Sequence, residues 1–225
     1  MSLKTSNLPF KARVDHEVHN TIMRKAVVKA QETIGANRQK MVDELGHWEE
    51  WRDLSKQIRN HVLANLDAYL YQLSEKVIEN GGKVYFAETA EEASVYIRKV
   101  ALEKNAKKIV KSKSMVTEEI GLNEVLEKEG MQVIETDLGE YLLQISGDKP
   151  SHIVVPAIHK DRHQIRKDLS EKLGYEGEET PEDMTRFVRE KIRQDFLEAD
   201  IGISGCNFAV AETGSVCLVT NEGNL

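Results

Sequence analysis

The run Gly202-Ile203-Ser204-Gly205-Cys206-Asn207-Phe208-Ala209-Val210-Ala211-Glu212-Thr213-Gly214-Ser215 sets small and hydrogen-bonding residues around one carboxylate. In such a bend Glu212 could act as nucleophile or base, or bond a ligand hydroxyl, while Gly205, Asn207, Thr213 and Gly214 shape a close backbone approach. It could equally anchor a hairpin turn at Thr213-Gly214. A second group, Lys111-Ser112-Lys113-Ser114, leads into a helix opened by Thr117-Glu118-Glu119. Two lysines and two hydroxyls at a helix N-terminus suit a small carboxylate or a phosphate. The alternative is that Ser114 caps the helix and the lysines face solvent.

Asp137 stands at the head of another helix with Glu140 three residues on, the spacing of a capping box, and it also follows a strand, where ligands gather in open α/β sheets. His159, with Lys160, Arg162 and His163 close behind, has a side chain suited to general acid or base work near neutral pH. The catalytic candidates are therefore Glu212 and His159. Lys111, Ser112, Lys113, Ser114, Asp137, Gly205, Asn207, Thr213 and Gly214 are the ligand-binding candidates. His16 and His19 could share a metal ion, although no third ligand lies near them in sequence. Trp48 and Trp51 are expected to be packing anchors.

These residues need elements to position them. Residues 15–80 carry apolar side chains at helical spacing, among them Ile58, Val62, Leu66, Leu70, Leu73 and Val77, and Gly81-Gly82 ends the pattern. Four branched runs follow, Lys83 to Ala87, Lys108 to Lys111, Met131 to Glu135 and His152 to Pro156, each read as a strand. Between and after them the helical stretches are Glu91 to Asn105, Val116 to Glu129, Leu138 to Ile145, Asp161 to Leu173 and Glu182 to Ala199. Asn207 to Thr220 reads as a hairpin. The expected fold is α/β, an open, mainly parallel sheet with flanking helices, made by residues 81–225 and preceded by an N-terminal helical arm over residues 1–80.

Composition narrows the function classes. With 31 Lys+Arg against 38 Asp+Glu the net charge is −7, which argues against nucleic acid as a partner. No apolar run reaches the roughly 20 residues of a membrane-spanning helix, and no leader is evident, so a cytoplasmic location is expected. Cys206 and Cys217 are the only two cysteines, too few to hold an iron–sulfur cluster unaided. A disulfide between them is not expected in a reducing compartment.

Three separated motifs, Lys111-Ser112-Lys113-Ser114-Met115 with Thr117-Glu118-Glu119-Ile120-Gly121-Leu122, Glu135-Thr136-Asp137-Leu138-Gly139-Glu140, and Gly202 to Gly214, together with the opening Phe10-Lys11-Ala12-Arg13-Val14-Asp15, resemble the lactate-utilization protein B family of the LUD-domain superfamily. The similarity covers essentially the whole chain. It implies a fold similar to the sugar-phosphate isomerases and CoA transferases, and a role in oxidising L-lactate to pyruvate with two sibling proteins, A and C. It also implies two [4Fe–4S] clusters held by cysteines that this sequence, ending at Leu225, lacks, so that a shortened form of an electron-transfer subunit is expected. Two other functions stay open: an acyl- or CoA-transferase-like enzyme using Glu212, whose Glu-x-Gly is similar to that of CoA transferases, and an assembly module without chemistry.

Overall fold

The structure is a computed structural model and describes residues 8–148, 150, 155–220 and 222–224. The chain divides into two compact units, one of Met1–Val28, Ala87–Gly205 and Thr220–Leu225 and the other of Lys29–Phe86 and Cys206–Val219.

The first unit is the α/β part. Strands β1 (Lys108–Lys111), β2 (Gln132–Glu135) and β3 (Ile201–Ile203) form a parallel sheet in the order β2-β1-β3. Helix α1 (Phe10–His19) lies in the same unit, as do α5 (Ala90–Glu103), α6 (Met115–Glu119), α7 (Leu122–Glu127), α8 (Leu138–Ser146), α9 (Arg162–Leu173) and α10 (Pro181–Glu198). Val133 and Ile134, consecutive on β2 and so pointing to opposite faces, are both buried, which means that helices cover the sheet on both sides. One core joins Ala101 of α5 and Leu122 and Leu126 of α7 to Ile109 and Val133. The other joins Leu142 of α8, Leu169 of α9 and Met184, Val188 and Ile192 of α10 around Tyr175. The expected α/β architecture, a parallel sheet with flanking helices and an N-terminal helical stretch, is present.

Local chemistry fixes the ends of these elements. Thr89, Ser114, Asp137, Asp161 and Thr180 each cap a helix through a side-chain oxygen, and Asp161 with Gln164 makes a complete capping box. The Asp200 carboxylate accepts the backbone N–H groups of Lys107 (2.8 Å) and Lys108 (3.0 Å), which pins the start of β3 against β1 and holds its own pKa below the ordinary value. On the far side of the sheet β2 is the outer strand among the described residues. Gln144 of α8 covers that edge, accepting the Glu135 N–H at 3.1 Å and donating to the Val133 carbonyl at 2.8 Å.

Several expectations need correction. Val116 to Glu129 is two short helices, because Gly121 takes the left-handed conformation (φ 64°) and restarts the chain as α7. Lys83 to Ala87 is an extended connector that pairs with no strand among the described residues, and Tyr85 and Phe86 on it are exposed. Of His152 to Pro156, residues 152–154 lie outside the described residues, and Val155 and Pro156 belong to a turn closed by the Ile158 N–H on the Val155 carbonyl. Among the described residues the third strand of the sheet is Ile201–Ile203, whose three residues are too few to display an alternating pattern.

The second unit holds most of α2 (Thr21–Leu45), all of α3 (Trp48–Ala64) and α4 (Leu66–Glu79), and the hairpin of β4 (Phe208–Val210) and β5 (Ser215–Cys217). The hairpin falls within the expected Asn207 to Thr220 and is antiparallel. None of the residues of α2, α3 or α4 is buried; of their apolar stripes Ile58, Val62, Leu66 and Leu70 are exposed, while Leu73 and Val77 are half-buried. Asn80 donates to the Thr213 carbonyl at 2.9 Å, joining the end of α4 to the hairpin turn. At that contact Gly214 has φ +69°, and a Cβ there would lie 2.7 Å from the Lys76 carbonyl carbon. Gly130 also has positive φ, but a Cβ at that position would meet nothing within 4 Å. Gly130→Ala should therefore cost only the strain of an L-residue in that region, about 1 kcal/mol. Gly214→Ala should cost clearly more, about 2–3 kcal/mol, because backbone must also move. Urea midpoints of the two variants check this, and equal losses would show that the close approach to α4 has no energetic weight.

Candidate functional site

The carboxyl ends of β1 and β2 carry the densest group of buried polar side chains in the first unit. Lys111 closes β1 and Glu135 closes β2, and parallel register sets them directly side by side. The Lys111 side chain is fully buried, and its ammonium lies 2.9 Å from Glu135 Oε1, 3.4 Å from Glu118 Oε1 and 3.2 Å from Thr117 Oγ1. Burial alone would pull this lysine toward neutrality, but the attraction of Glu135, reinforced by Glu118 and Glu140, outweighs it and raises its pKa above the ordinary value. Asn123 of α7 donates to the same Glu135 oxygen at 2.6 Å. Thr117 in turn donates to the Ser114 carbonyl at 2.8 Å, so α6 is tied to the lysine through a chain of hydrogen bonds.

Glu140, in the first turn of α8 and 7% exposed, brings a further carboxyl to Glu135, which is 3% exposed. Burial, and then the negative charge of Glu135, push the Glu140 pKa up to about 8 against the opposing pull of Lys111. Near neutral pH this favours the protonated form of Glu140, beside the Glu135 carboxylate that pairs with Lys111. Its side chain does not complete a capping box: Asp137 accepts the Glu140 N–H at 3.1 Å, but the Glu140 carboxyl turns inward to Glu135. Among the described residues Glu135 Oε2, Glu140 Oε2, Asn123 Oδ1 and Ser112 Oγ are buried without a hydrogen-bond partner.

The C-terminal segment reaches the same corner. Glu222 accepts the Leu138 N–H at the head of α8 (3.0 Å), and Asn224 donates to Thr136 Oγ1 (3.1 Å). Burial raises the Glu222 pKa against that backbone bond, with Asp137 adding to the rise. Lys113 lies 3.8 Å from Asp137. Lys111 and Lys113 thus meet Glu118, Glu135, Asp137 and Glu222, and the carboxylates outnumber the lysines even with Glu140 neutral.

Of the residues singled out from sequence, Lys111, Ser112, Lys113, Ser114, Asp137 and Gly205 belong to this unit, and Gly205 lies in van der Waals range of Ser114. Ser114 is the cap of α6, one of the two roles its position allows, whereas Lys111 is not solvated but locked in a buried ion pair. His159, also in this unit, is half-buried 4.0 Å from Asp148, and burial holds its pKa below the ordinary value. Its neighbour Lys160 bridges Asp148 and Asp168, both at 2.5 Å. Asn207, Glu212, Thr213 and Gly214 belong to the other unit. There Asn207 Oδ1 accepts the Val219 N–H (2.8 Å), Thr213 Oγ1 donates to Ser215 Oγ (2.9 Å), and Glu212 is exposed in the turn. Sequence reasoning misses Glu135, Glu140, Asn123 and Glu222 as members of the corner. A signal exists for the first, since two four-residue strands ending in opposite charges, KIVK and QVIE, are natural cross-strand partners.

Residues 70–225 match the LUD domain. The chain belongs to the LUD-domain family. Its whole length also aligns with lactate utilization protein B, the family that its motifs resemble: it is 59% identical over 224 residues to the protein of that name from Bacillus cytotoxicus and 58% identical to that from Bacillus cereus. It is 73% identical over 224 residues to a protein of Escherichia coli K12 called uncharacterized electron transport protein YkgF. In each case the alignment takes in 100% of this chain and 47% of the relative, so the chain spans about half the length of the curated relatives it matches. No solved structure matches it. Among the described residues of this LUD-family chain no helix is long and apolar enough to cross a membrane, and no group of three His, Cys, Asp or Glu side chains could hold a metal ion.

The corner makes two predictions. Lys111→Met strands Glu135 as a buried charge and should cost about 3–5 kcal/mol in urea unfolding, much of it recovered when Glu135→Leu is added. An undiminished midpoint in Lys111→Met would show that the pair is not buried as described. For Glu140 the folded pKa lies above its ordinary value of 4.5, so the stability its proton confers is complete below that value and is lost as pH rises to about 8. Glu140→Gln, which cannot ionise, should gain on the wild type by up to about 1.4 kcal/mol per pH unit across that window and no further above it. Thermal melts from pH 5 to pH 9 check this, and a difference independent of pH would refute it.

Proposed function

We propose that this chain is the α/β portion of a lactate-utilization protein that works in electron transfer, and that it contributes ligand or partner binding to the oxidation of L-lactate to pyruvate. The observation that carries this reading is the alignment of the whole chain, at 59% identity, with lactate utilization protein B of Bacillus cytotoxicus. The name of the Escherichia coli relative, an electron transport protein, supports the same role.

The iron–sulfur clusters implied by the resemblance do not fit the residues present. A cluster of that type takes four cysteine thiolates, and the chain has only Cys206 and Cys217, both exposed. Electron carriage is accordingly assigned to polypeptide outside this chain, in the longer protein or in siblings such as lactate-utilization proteins A and C. The part assigned here is polar recognition at the strand ends, by Ser112, Lys113, Asp137 and Gly205 around the buried Lys111–Glu135 pair. His159, in the same unit, is a further contact in this proposal, and the Glu212 turn, with Asn207, Thr213 and Gly214, is a separate candidate contact of the other unit. Lys113 and the backbone N–H groups near it suit the carboxylate of a small acid, while the carboxyl-rich side of the corner suits its hydroxyl.

The test is genetic and chemical. A strain lacking the gene for the longer protein should fail to grow on L-lactate, the intact gene should restore growth, and Lys113→Ala should reduce lactate consumption at least tenfold. Normal lactate consumption in the deletion strain would overturn the reading.

A further inference from the structure

Three carboxylates surround one buried ammonium at the strand ends, and that ratio has a consequence for protons. Lys111 is already engaged by Glu135, Glu118 and Thr117. The Glu118 side chain is 29% exposed, whereas Glu135 and Glu140 are buried, at 3% and 7%. Two ionised carboxylates side by side in such a place repel strongly, and the groups that face them add little relief. Asp137 on the head of α8 is itself negative and is matched by Lys113, while Glu222 brings another acid to the same helix end. The second oxygens of Glu135 and Glu140, both labelled Oε2, are buried and have no partner among the described residues.

We propose that Glu135 and Glu140 form a proton-exchange site, holding one proton between them and passing it to, or taking it from, an oxygen of a bound 2-hydroxy or 2-oxo acid. When the proton passes to the ligand, the O–H bond on the Glu140 carboxyl breaks, one forms on the ligand oxygen, and the pair goes from one negative charge to two. Lys111 stays protonated throughout and limits the cost of the doubly ionised state. The rise of the Glu140 pKa to about 8 agrees with this arrangement, since it leaves the pair able both to donate and to accept near neutrality. The identity of the ligand rests on the function proposed above, whereas the shared proton rests only on the buried charges.

Two measurements on the 225-residue chain test the two parts separately. Infrared spectra should show the carbonyl stretch of a buried protonated carboxylic acid at pH 7, fading as the pH passes about 8 and missing from Glu140→Gln. In Glu135→Gln, which removes the repelling charge, the band should fade at lower pH. Absence of the band from wild-type protein at pH 6, or its persistence unchanged in both variants, overturns the pair. Titration calorimetry with L-lactate and with pyruvate, each in phosphate and in Tris buffer, should show a fraction of a proton exchanged on binding, lost in Glu140→Gln. Binding with equal heats in both buffers overturns the exchange role and leaves the lactate reading intact. No binding of either acid overturns both the exchange role and ligand binding by this chain, while the infrared band still decides whether the proton is shared.

Discussion

Burying a lysine ammonium at the end of β1 constrains everything built around it. An unpaired charge there would cost several kcal/mol, so the sheet can close only if Glu135 arrives in register on the neighbouring strand. A slip of one residue on β2 would turn Glu135 to the other face, take Val133 out of its core and move Ile134 from the buried place it holds on the opposite face. The ion pair thus sets register, and register sets which polar groups stand at the strand ends. Thr117, Glu118 and Asn123 then follow as partners of the pair, which gives α6 and α7 a polar reason to sit where Leu122 and Leu126 also need them.

The same corner shows how a small sheet protects itself while leaving chemistry at one end. Only three strands make up the parallel sheet among the described residues, so its outer strands present backbone groups that need partners. Gln144 satisfies the β2 edge with a side chain rather than another strand, and Asp200 fastens the start of β3 to the backbone of β1. Stability at the amino ends and along the edges therefore comes from neutral or well-matched bonds. At the carboxyl ends the balance differs, because acids outnumber lysines and one acid stays neutral. That imbalance marks the end where a proton, or a group that exchanges one, has a use.

How much of this is legible in the sequence depends on length and on charge. Strands β1 and β2, helices α5, α8, α9 and α10, and the hairpin follow from runs long enough to show a period or bounded by a recognisable cap or turn. Strand β3 is hidden because Ile201-Gly202-Ile203 is three residues long and its partner, β1, is about ninety residues away in sequence. The connector at Lys83 to Ala87 has strand-like residues but joins no sheet among the described residues, which no local pattern reveals. For the site, the lysine–serine group and Asp137 are legible because polar residues after a strand stand out. Glu140 reads from its spacing as part of a capping box, since spacing alone cannot tell whether a carboxyl turns back to the helix end or into the interior. Only burial separates those two outcomes, and burial is a property of the assembled sheet.

The Glu-Thr-Gly turn of the hairpin separates in a similar way into what the fold uses and what it leaves over. Gly214 is required by a positive φ and by the nearness of Lys76, Thr213 lends its carbonyl to Asn80, and Asn207 fastens the Val219 backbone. These roles account for the small and amide residues of the motif without any ligand. Glu212 is different: it is exposed, and the hydrogen bonds that define the turn run through its neighbours. A replacement such as Glu212→Gln would therefore leave the hairpin intact, because none of the hydrogen bonds that hold the turn uses that carboxylate.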